Sequence, residues 1–407
     1  MNPGERPAPA ILGLQVLLPF AGGYFLSYLY RSVNAVLGGE IAASITLEAA
    51  DIGLMTSVYF IAFGAFQLPL GVLLDRFGPR RVEALLLLVA AAGAFCVARA
   101  DGVAALVAGR ALVGVGVSSC LMAPLKANVQ FFSRHQLPLM NGIILGAGGI
   151  GAVAATAPVH AALAVTDWRG VYACLAGLTA VMAGLLWWIV PDGPTAAGGT
   201  SMADQLRAIG RIFADGGFHR VAPLTVASLG YFMAVQGLWA GPWLRDVAAL
   251  APSQSAGALA TVAAAMALGY LLTGAIGVRL ERRGLSLTTS AGIGMAAFLA
   301  LSLAMAGGWV PAPYLCGALW GFFGAASTAS YAILTRRFDG TLAGRVNTSL
   351  NLLVFLAAFA IQWGIGAVLG RFDRIDGHWP AEAWTLALGL PLLPYALALL
   401  WYIRRQR

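Results

Sequence analysis

Gly71-Val-Leu-Leu-Asp75-Arg76-Phe77-Gly78-Pro79-Arg80-Arg81 joins two apolar runs of membrane-spanning length, Ile52 to Leu74 and Val82 to Val97. One short turn thus holds two glycines, a carboxylate and three arginines. Gly71 lets the flanking helices approach closely, and Gly78 supplies a turn residue suited to positive φ. Asp75 is placed to pair with nearby arginines. Taken alone, an ordinary basic cytoplasmic loop is the plainer reading.

Composition widens the reading. The chain has 407 residues, 59% hydrophobic and only 10% charged, where a soluble protein carries roughly a quarter charged. It is therefore expected to be an all-α polytopic membrane protein. The net charge of +8 must then be read by position. No interleaved basic and aromatic surface stretch points to nucleic acid. Cys96, Cys120, Cys174 and Cys316 all fall in apolar segments without metal-ligand spacing, so neither a metal nor a cofactor is expected. The first apolar stretch, Ile11 to Leu37, is longer than a signal h-region and lacks a cleavage pattern, so it reads as a retained helix. One lysine, Lys126, against 24 arginines suggests a GC-rich bacterial genome and hence a bacterial inner membrane.

Twelve segments of about 20 apolar residues lie near 11–37, 52–74, 82–99, 103–128, 138–163, 170–190, 221–244, 257–280, 286–307, 312–335, 342–369 and 383–403. The long polar break contains Pro191, Pro194, Gly198 and Gly199, then an amphipathic piece around Gln205 to Phe213. The expected domains are a six-helix half over 1–190, a cytoplasmic linker over 191–220 and a second half over 221–407. With a cytoplasmic N-terminus, the inner loops hold Arg6, Arg76, Arg80, Arg81, Arg134, Arg207, Arg211, Arg220, Arg279, Arg282, Arg283, Arg336, Arg337, Arg345, Arg404, Arg405 and Arg407. The outer loops hold only Arg99, Arg169, Arg245, Arg371 and Arg374. That asymmetry places both termini in the cytoplasm, with Trp187, Trp188, Trp401 and Tyr402 at the inner interface.

The halves repeat. A shift of 206 residues lays Gly277, Glu281, Arg282 and Gly284 on Gly71, Asp75, Arg76 and Gly78, and Asn347 on Asn141. Gly-x-x-x-Asp-Arg-x-Gly-x-Arg-Arg resembles the signature loop between the second and third helices of the major facilitator superfamily. The resemblance implies two pseudo-symmetric six-helix halves, a substrate site between them near the midplane, and alternating access by rocking. On this reading Gly71, Asp75, Arg76, Gly78, Arg80, Glu281 and Arg282 serve gating and conformational change.

Inside a bilayer an ionisable residue is a functional hypothesis by default. Once the loops are removed, Arg31, Arg110 and Lys126 remain, and no carboxylate is expected deep within a segment. The buried charge is one-sided and positive, which points to an anionic substrate. Tyr24, Ser27, Arg31 and Asn34 form one polar stripe on the first helix. If that helix ends near Leu37, Arg31 lies roughly 9 Å below the outer surface, and Arg110 in the fourth helix roughly 10 Å below it. Two guanidiniums at one depth could clamp a carboxylate from two sides. Lys126 lies about 24 Å further along, on nearly the opposite face. It reads as a lysine snorkelling to the inner surface, or as a contact on the inner path.

Tyr30-Arg31-Ser-Val-Asn34, then Gln67-Leu-Pro69-Leu-Gly71, then Arg110-x-x-x-Gly114 with Pro124, resembles the anion:cation symporter branch of the superfamily. Its members carry sugar acids and other organic anions. The resemblance implies that Arg31 and Arg110 serve the substrate anion or its coupling network. Two departures stand out. Where that branch commonly has coupling acids, this chain has Tyr30 and Val117, which puts the coupling proton in doubt. His160, after Pro158, is then a candidate for protonation, although a lone histidine near a helix end is more often structural. Arg110 equally has a structural reading, holding helices together.

The second half offers neutral polarity: Tyr231, Gln236 and Trp239 on the seventh helix, then Tyr331, Asn347 and Asn351 on the tenth and eleventh. With Gln67 these would line an aromatic, hydrogen-bonding pocket. The expectation is a secondary active transporter, a monomer in a lipid bilayer, moving a small organic anion by proton-coupled uptake. The alternatives are a drug or metabolite exporter, which would ignore Arg31, and an anion exchanger or uniporter. A transporter-like sensor would bind without flux. No Ser-His-Asp, metal-ligand or nucleotide-loop arrangement supports an enzyme.

Overall fold

The structure, a computed structural model, describes residues 13–45, 47–133, 136–193, 202–338 and 342–404. Arg6, Arg134, Pro194, Gly198, Gly199, Arg405 and Arg407 lie outside these residues. Among the described residues, twelve helical spans form one bundle. They cover 13–45, Ala49–Phe77, Pro79–Ala98, 103–131, 137–162, Trp168–Ile189, Gly216–Asp246, Pro252–Glu281, Leu287–Ala306, 313–337, Ala343–Leu369 and Ala381–Arg404. Eight contain a helix long and apolar enough to cross a bilayer. The first, fourth, fifth, tenth and twelfth are interrupted. The amphipathic piece between the halves is the helix Met202–Ala214, on the same face of the bundle as residues 13 and 404. We call this the linker face and its opposite the far face.

The interruptions have local causes. Pro124 has no N–H for the carbonyl of Cys120, and the fourth span unwinds between Gly116 and Met122. The Ser118 carbonyl freed there accepts a hydrogen bond from Gln67 Nε2 of the second span at 3.0 Å, which is how irregular backbone survives inside a membrane. Pro158 does the same to the fifth span, which breaks between Ala154 and Ala157. In the tenth span a 3-10 turn at Ala325–Thr328 is held by Thr328 Oγ1 donating to Ala325 O at 2.7 Å. The first span turns at Val33 and resumes as Asn34–Ile45, so it runs two turns beyond the expected end at Leu37. Arg31 therefore sits about 21 Å from the far end of its span, nearer the midplane than Arg110.

The repeat is visible in three dimensions. Gly78 and its shifted mate Gly284 both take positive φ, 80° and 87°, as tight turns after a long helix require. Asp75 pairs with Lys126 across the second and fourth spans. Glu281 pairs with Arg336 across the eighth and tenth at 3.3 Å. Asn128 donates to Asn141 at 2.9 Å, and Thr335 to Asn347 at 3.1 Å. Around the same loop, Arg80 and Arg81 reach Asp192 at the end of the sixth span, at 3.2 and 3.4 Å. Arg76 lies over the Phe77 ring, Gly71 is half-buried, and Arg282 is exposed. Trp188 and Trp401 are exposed near the linker face, but Tyr402 is buried and donates to Thr288 O at 2.7 Å. It packs the bundle and does not sit at an interface.

At the linker face Asp215 caps the seventh span through Phe218 N at 2.8 Å and receives Arg337 Nε from the tenth at 2.9 Å. The Arg337 guanidinium beside it holds the Asp215 carboxyl below the usual carboxylate range. A carboxyl depressed on folding contributes stability that is present above its unfolded value and is lost as pH falls through its folded value. Arg337→Gln should therefore melt below wild type at pH 6, and the two should converge as pH drops below about 4. Parallel melting curves down to that range would show the pair to be silent.

Candidate binding site

A cavity of about 300 Å³ lies between the halves, room for about ten waters at ~30 Å³ each or for one small ligand. The first half contributes Tyr24, Ser27, Tyr28, Arg31, Phe63, Gln67 and Ser118. The second contributes Met233, Tyr270, Tyr331, Asn347, Asn351 and Phe355. Arg31 is the one charged residue on this wall. It is 9% exposed, and among the described residues no carboxylate pairs with it. Its guanidinium lies 4.3 Å from the centre of the Tyr28 ring and 5.7 Å from that of Phe355, which fixes the plane of the fork without occupying its donors.

Around it the neutral groups are partly engaged. Tyr331 Oη donates to Asn351 Oδ1, and Gln67 keeps Oε1 unpartnered. Phe63 and Phe355 stack across the halves with centroids 4.3 Å apart. On the far side of this layer the halves are sealed. Gln236 Nε2 of the seventh span donates to Ser32 Oγ of the first at 3.2 Å, and Gly237 approaches the Arg31 carbonyl. One turn on, Gly241 lies so close to the Ala35 carbonyl that a Cβ would overlap it. Trp239 donates to Gln362 O at 2.8 Å and packs in a triad with Trp379 and Trp384.

Of the residues expected at a substrate site, Tyr24, Ser27, Arg31, Gln67, Asn347 and Asn351 are brought together on this wall. Gln236 and Trp239 belong to the far seal. Tyr231 is buried against Phe298, away from the cavity, with an unpartnered hydroxyl. Asn34 lies about 60° around the first helix from Arg31, at ~100° per residue, and so faces away from the cavity. It accepts from Tyr172 Oη at 2.6 Å and donates to Thr56 Oγ1 at 3.1 Å. His160 is near the far end of the fifth span, outside the cavity. Lys126 is also off the wall, its ammonium taken by Asp75.

Arg110 is fully buried behind the first span. It donates to the Tyr30 carbonyl at 3.0 Å and to Tyr172 Oη at 3.4 Å, with the Tyr59 ring 5.0 Å from its guanidinium carbon. The two guanidiniums thus do not share one surface. Arg110→Lys keeps the charge, but the shorter side chain cannot bring its ammonium to the position from which Nη1 donates to both acceptors. It should lower stability by about 1–3 kcal/mol while leaving the melting shift produced by a bound anion unchanged. Loss of that shift in a folded Arg110→Lys protein would instead tie Arg110 to the ligand.

Two features escaped the sequence. Tyr28 is four residues from Tyr24 and three from Arg31, so the helical period already placed it on the same face. Tyr270, Phe63 and Phe355 carried no such signal. Glu83, only the fifth residue of the third span and so not deep along it, is nevertheless fully buried, with neither carboxyl oxygen in a hydrogen bond of good geometry. The third span starts at Pro79, and its buried stripe Pro79, Val82, Glu83, Leu86, Leu87, Ala90 turns this acid inward.

Comparison with known proteins adds the following. The Major Facilitator Superfamily model matches residues 20–362. The "Probable L-galactonate transporter" of Escherichia coli strain K12 is 30% identical over 183 residues, covering 43% of this chain and 38% of that protein. The "Probable sulfoacetate transporter SauU" of Cupriavidus necator is 23% identical over 184 residues, covering 45% of this chain and 42% of that protein. Both matches span less than half the length of these curated relatives. A solved structure of a bacterial homologue of the human lysosomal transporter Spinster, inward-facing and unoccupied, superposes with a TM-score of 0.77 at 18% identity over 97% of each chain. At that identity the likeness establishes the fold alone.

Proposed function

The chain belongs to the Major Facilitator Superfamily, and from that premise we propose that its central cavity carries a small organic anion, a sugar acid or a related mono- or dicarboxylate, by proton-coupled uptake. The observation that carries this reading is Arg31: a single cation, without a carboxylate partner among the described residues, on the wall of a cavity built by both halves. An uncompensated guanidinium at the centre of a bilayer is costly, and a carboxylate entering the cavity would relieve that cost through a bidentate pair. The tyrosines and amides around it suit a hydroxylated body. The names of the L-galactonate and sulfoacetate relatives are consistent with such cargo. In this reading the linker face, where basic residues collect, is cytoplasmic in a bacterial inner membrane. The far-face seal and the cavity beside it correspond to a state closed to the outside.

The test is a thermal-shift panel of sugar acids, dicarboxylates, aromatic acids and inorganic anions on the purified protein, followed by uptake into proteoliposomes. Stabilisation and uptake of an organic acid support the reading. Stabilisation only by cations or neutral amphiphiles would overturn it in favour of an exporter.

A further inference from the structure

Glu83 has no place in the site just described, yet it lies one layer behind it. Its carboxyl is directed at Gly23 of the first span, where a Cβ would overlap Oε1, and the adjacent residue, Tyr24, is on the cavity wall. The titratable group that faces it is the Cys120 thiol, in the unwound stretch of the fourth span. Ser118, two residues before that thiol, and Leu121, the residue after it, also line the cavity. The sixth span packs along the third, and its half nearest the linker face, Val181 to Ile189, contains no titratable residue. From the second span and the end of the fourth come Asp75 and Lys126, paired with each other. Arg80 and Arg81, in the first turn of the third span, are engaged by Asp192. No cation among the described residues forms an ion pair with Glu83, and the polar side chain turned toward its otherwise unpartnered oxygens is the Cys120 thiol, a weak donor.

An ionised carboxylate in such surroundings would be neither solvated nor compensated, so the group is held here as a neutral acid. The elements that keep water from it are the first span beside its cavity tyrosines and the unwound stretch of the fourth span. Whatever moves those elements changes the solvation of Glu83.

We infer that Glu83 is a proton-binding site, loaded in this closed arrangement and unloaded when the first and fourth spans shift, and that it couples proton movement to the cavity. The inference rests on the cavity being a transport site. It answers the absence of acids at Tyr30 and Val117 with an acid on a third helix.

Two measurements test it separately. Infrared spectra of the reconstituted protein should show a protonated carboxyl C=O band at pH 7 that disappears in Glu83→Gln and moves in Glu83→Asp. In proteoliposomes with L-galactonate as probe, an inward proton gradient should drive accumulation by wild type. Glu83→Gln should keep L-galactonate exchange and lose gradient-driven accumulation at least tenfold. A band untouched by both substitutions, or undiminished accumulation by Glu83→Gln, would overturn the inference. If wild type moves no L-galactonate, that choice of cargo fails, and the infrared band still decides whether Glu83 holds a proton. Should Glu83→Gln not fold, Glu83→Asp carries the test, because a working proton site predicts accumulation with a shifted pH optimum.

Discussion

Arg31→Gln is expected to abolish stabilisation of the protein by organic acids while leaving its unliganded melting temperature close to wild type. The side chain lies on the cavity wall, and no carboxylate among the described residues depends on it, so its removal strands no buried charge. A bidentate carboxylate contact away from bulk water is among the strongest polar contacts a ligand can make. Its loss should weaken binding by about 100-fold, or about 3 kcal/mol. Arg31→Lys should fall between, roughly tenfold weaker, since an ammonium keeps the charge but not the planar fork that Tyr28 supports. Titrating L-galactonate against all three proteins by thermal shift gives the comparison. Equal affinities would detach Arg31 from the ligand and leave the exporter reading standing.

Gly241→Val should move the protein out of the arrangement described here. The far seal depends on the seventh span lying directly on the Ala35 carbonyl of the first, with no room for a Cβ. A branched side chain there penalises this closed state and has no counterpart once the halves separate. Overpacking of this kind costs about 1–3 kcal/mol, enough to shift a two-state population by about 5- to 150-fold. The shift can be read with a membrane-impermeant thiol reagent on Gln236→Cys, in a background where the four native cysteines are alanine. Labelling should accelerate at least about tenfold with Gly241→Val added. An unchanged rate would mean that the seam yields elsewhere.

The twelve spans, their pairing into repeats and Arg31 were legible because each rests on a local property. These properties are apolar length, a recurring turn, and one cation out of place in an apolar run. The interruptions were not, since Pro124 permits the break in the fourth span, but the freed Ser118 carbonyl accepts from Gln67, fifty-one positions before it. Asn34 was misplaced because a stripe at i, i+3, i+7, i+10 drifts around a helix, and its partners Tyr172 and Thr56 come from other spans. Glu83 is the second residue of the apolar run that begins at Val82, directly after Arg80 and Arg81, and a place at the end of a segment did not mark it as buried. In fact Gly78 closes the turn and Pro79 opens the next helix, so four residues suffice to carry the chain from surface to core. Arg110 was half legible. Its burial followed from the apolar run around it, but its two acceptors come from the first and sixth spans, a juxtaposition no spacing encodes.

Arg31 also faces two ways. Its side chain looks into the cavity, while its carbonyl abuts Gly237 in the seam between the halves. On the transport reading proposed above, grip and seam would meet in one residue, with no lever arm between them. A slender acid seated on the guanidinium would leave the seam free to part and would travel as cargo. A stout one that braces from Arg31 across to Asn351 would hold both halves at a fixed spacing, like a wedge in a door. Girth, more than charge, would then separate passenger from inhibitor.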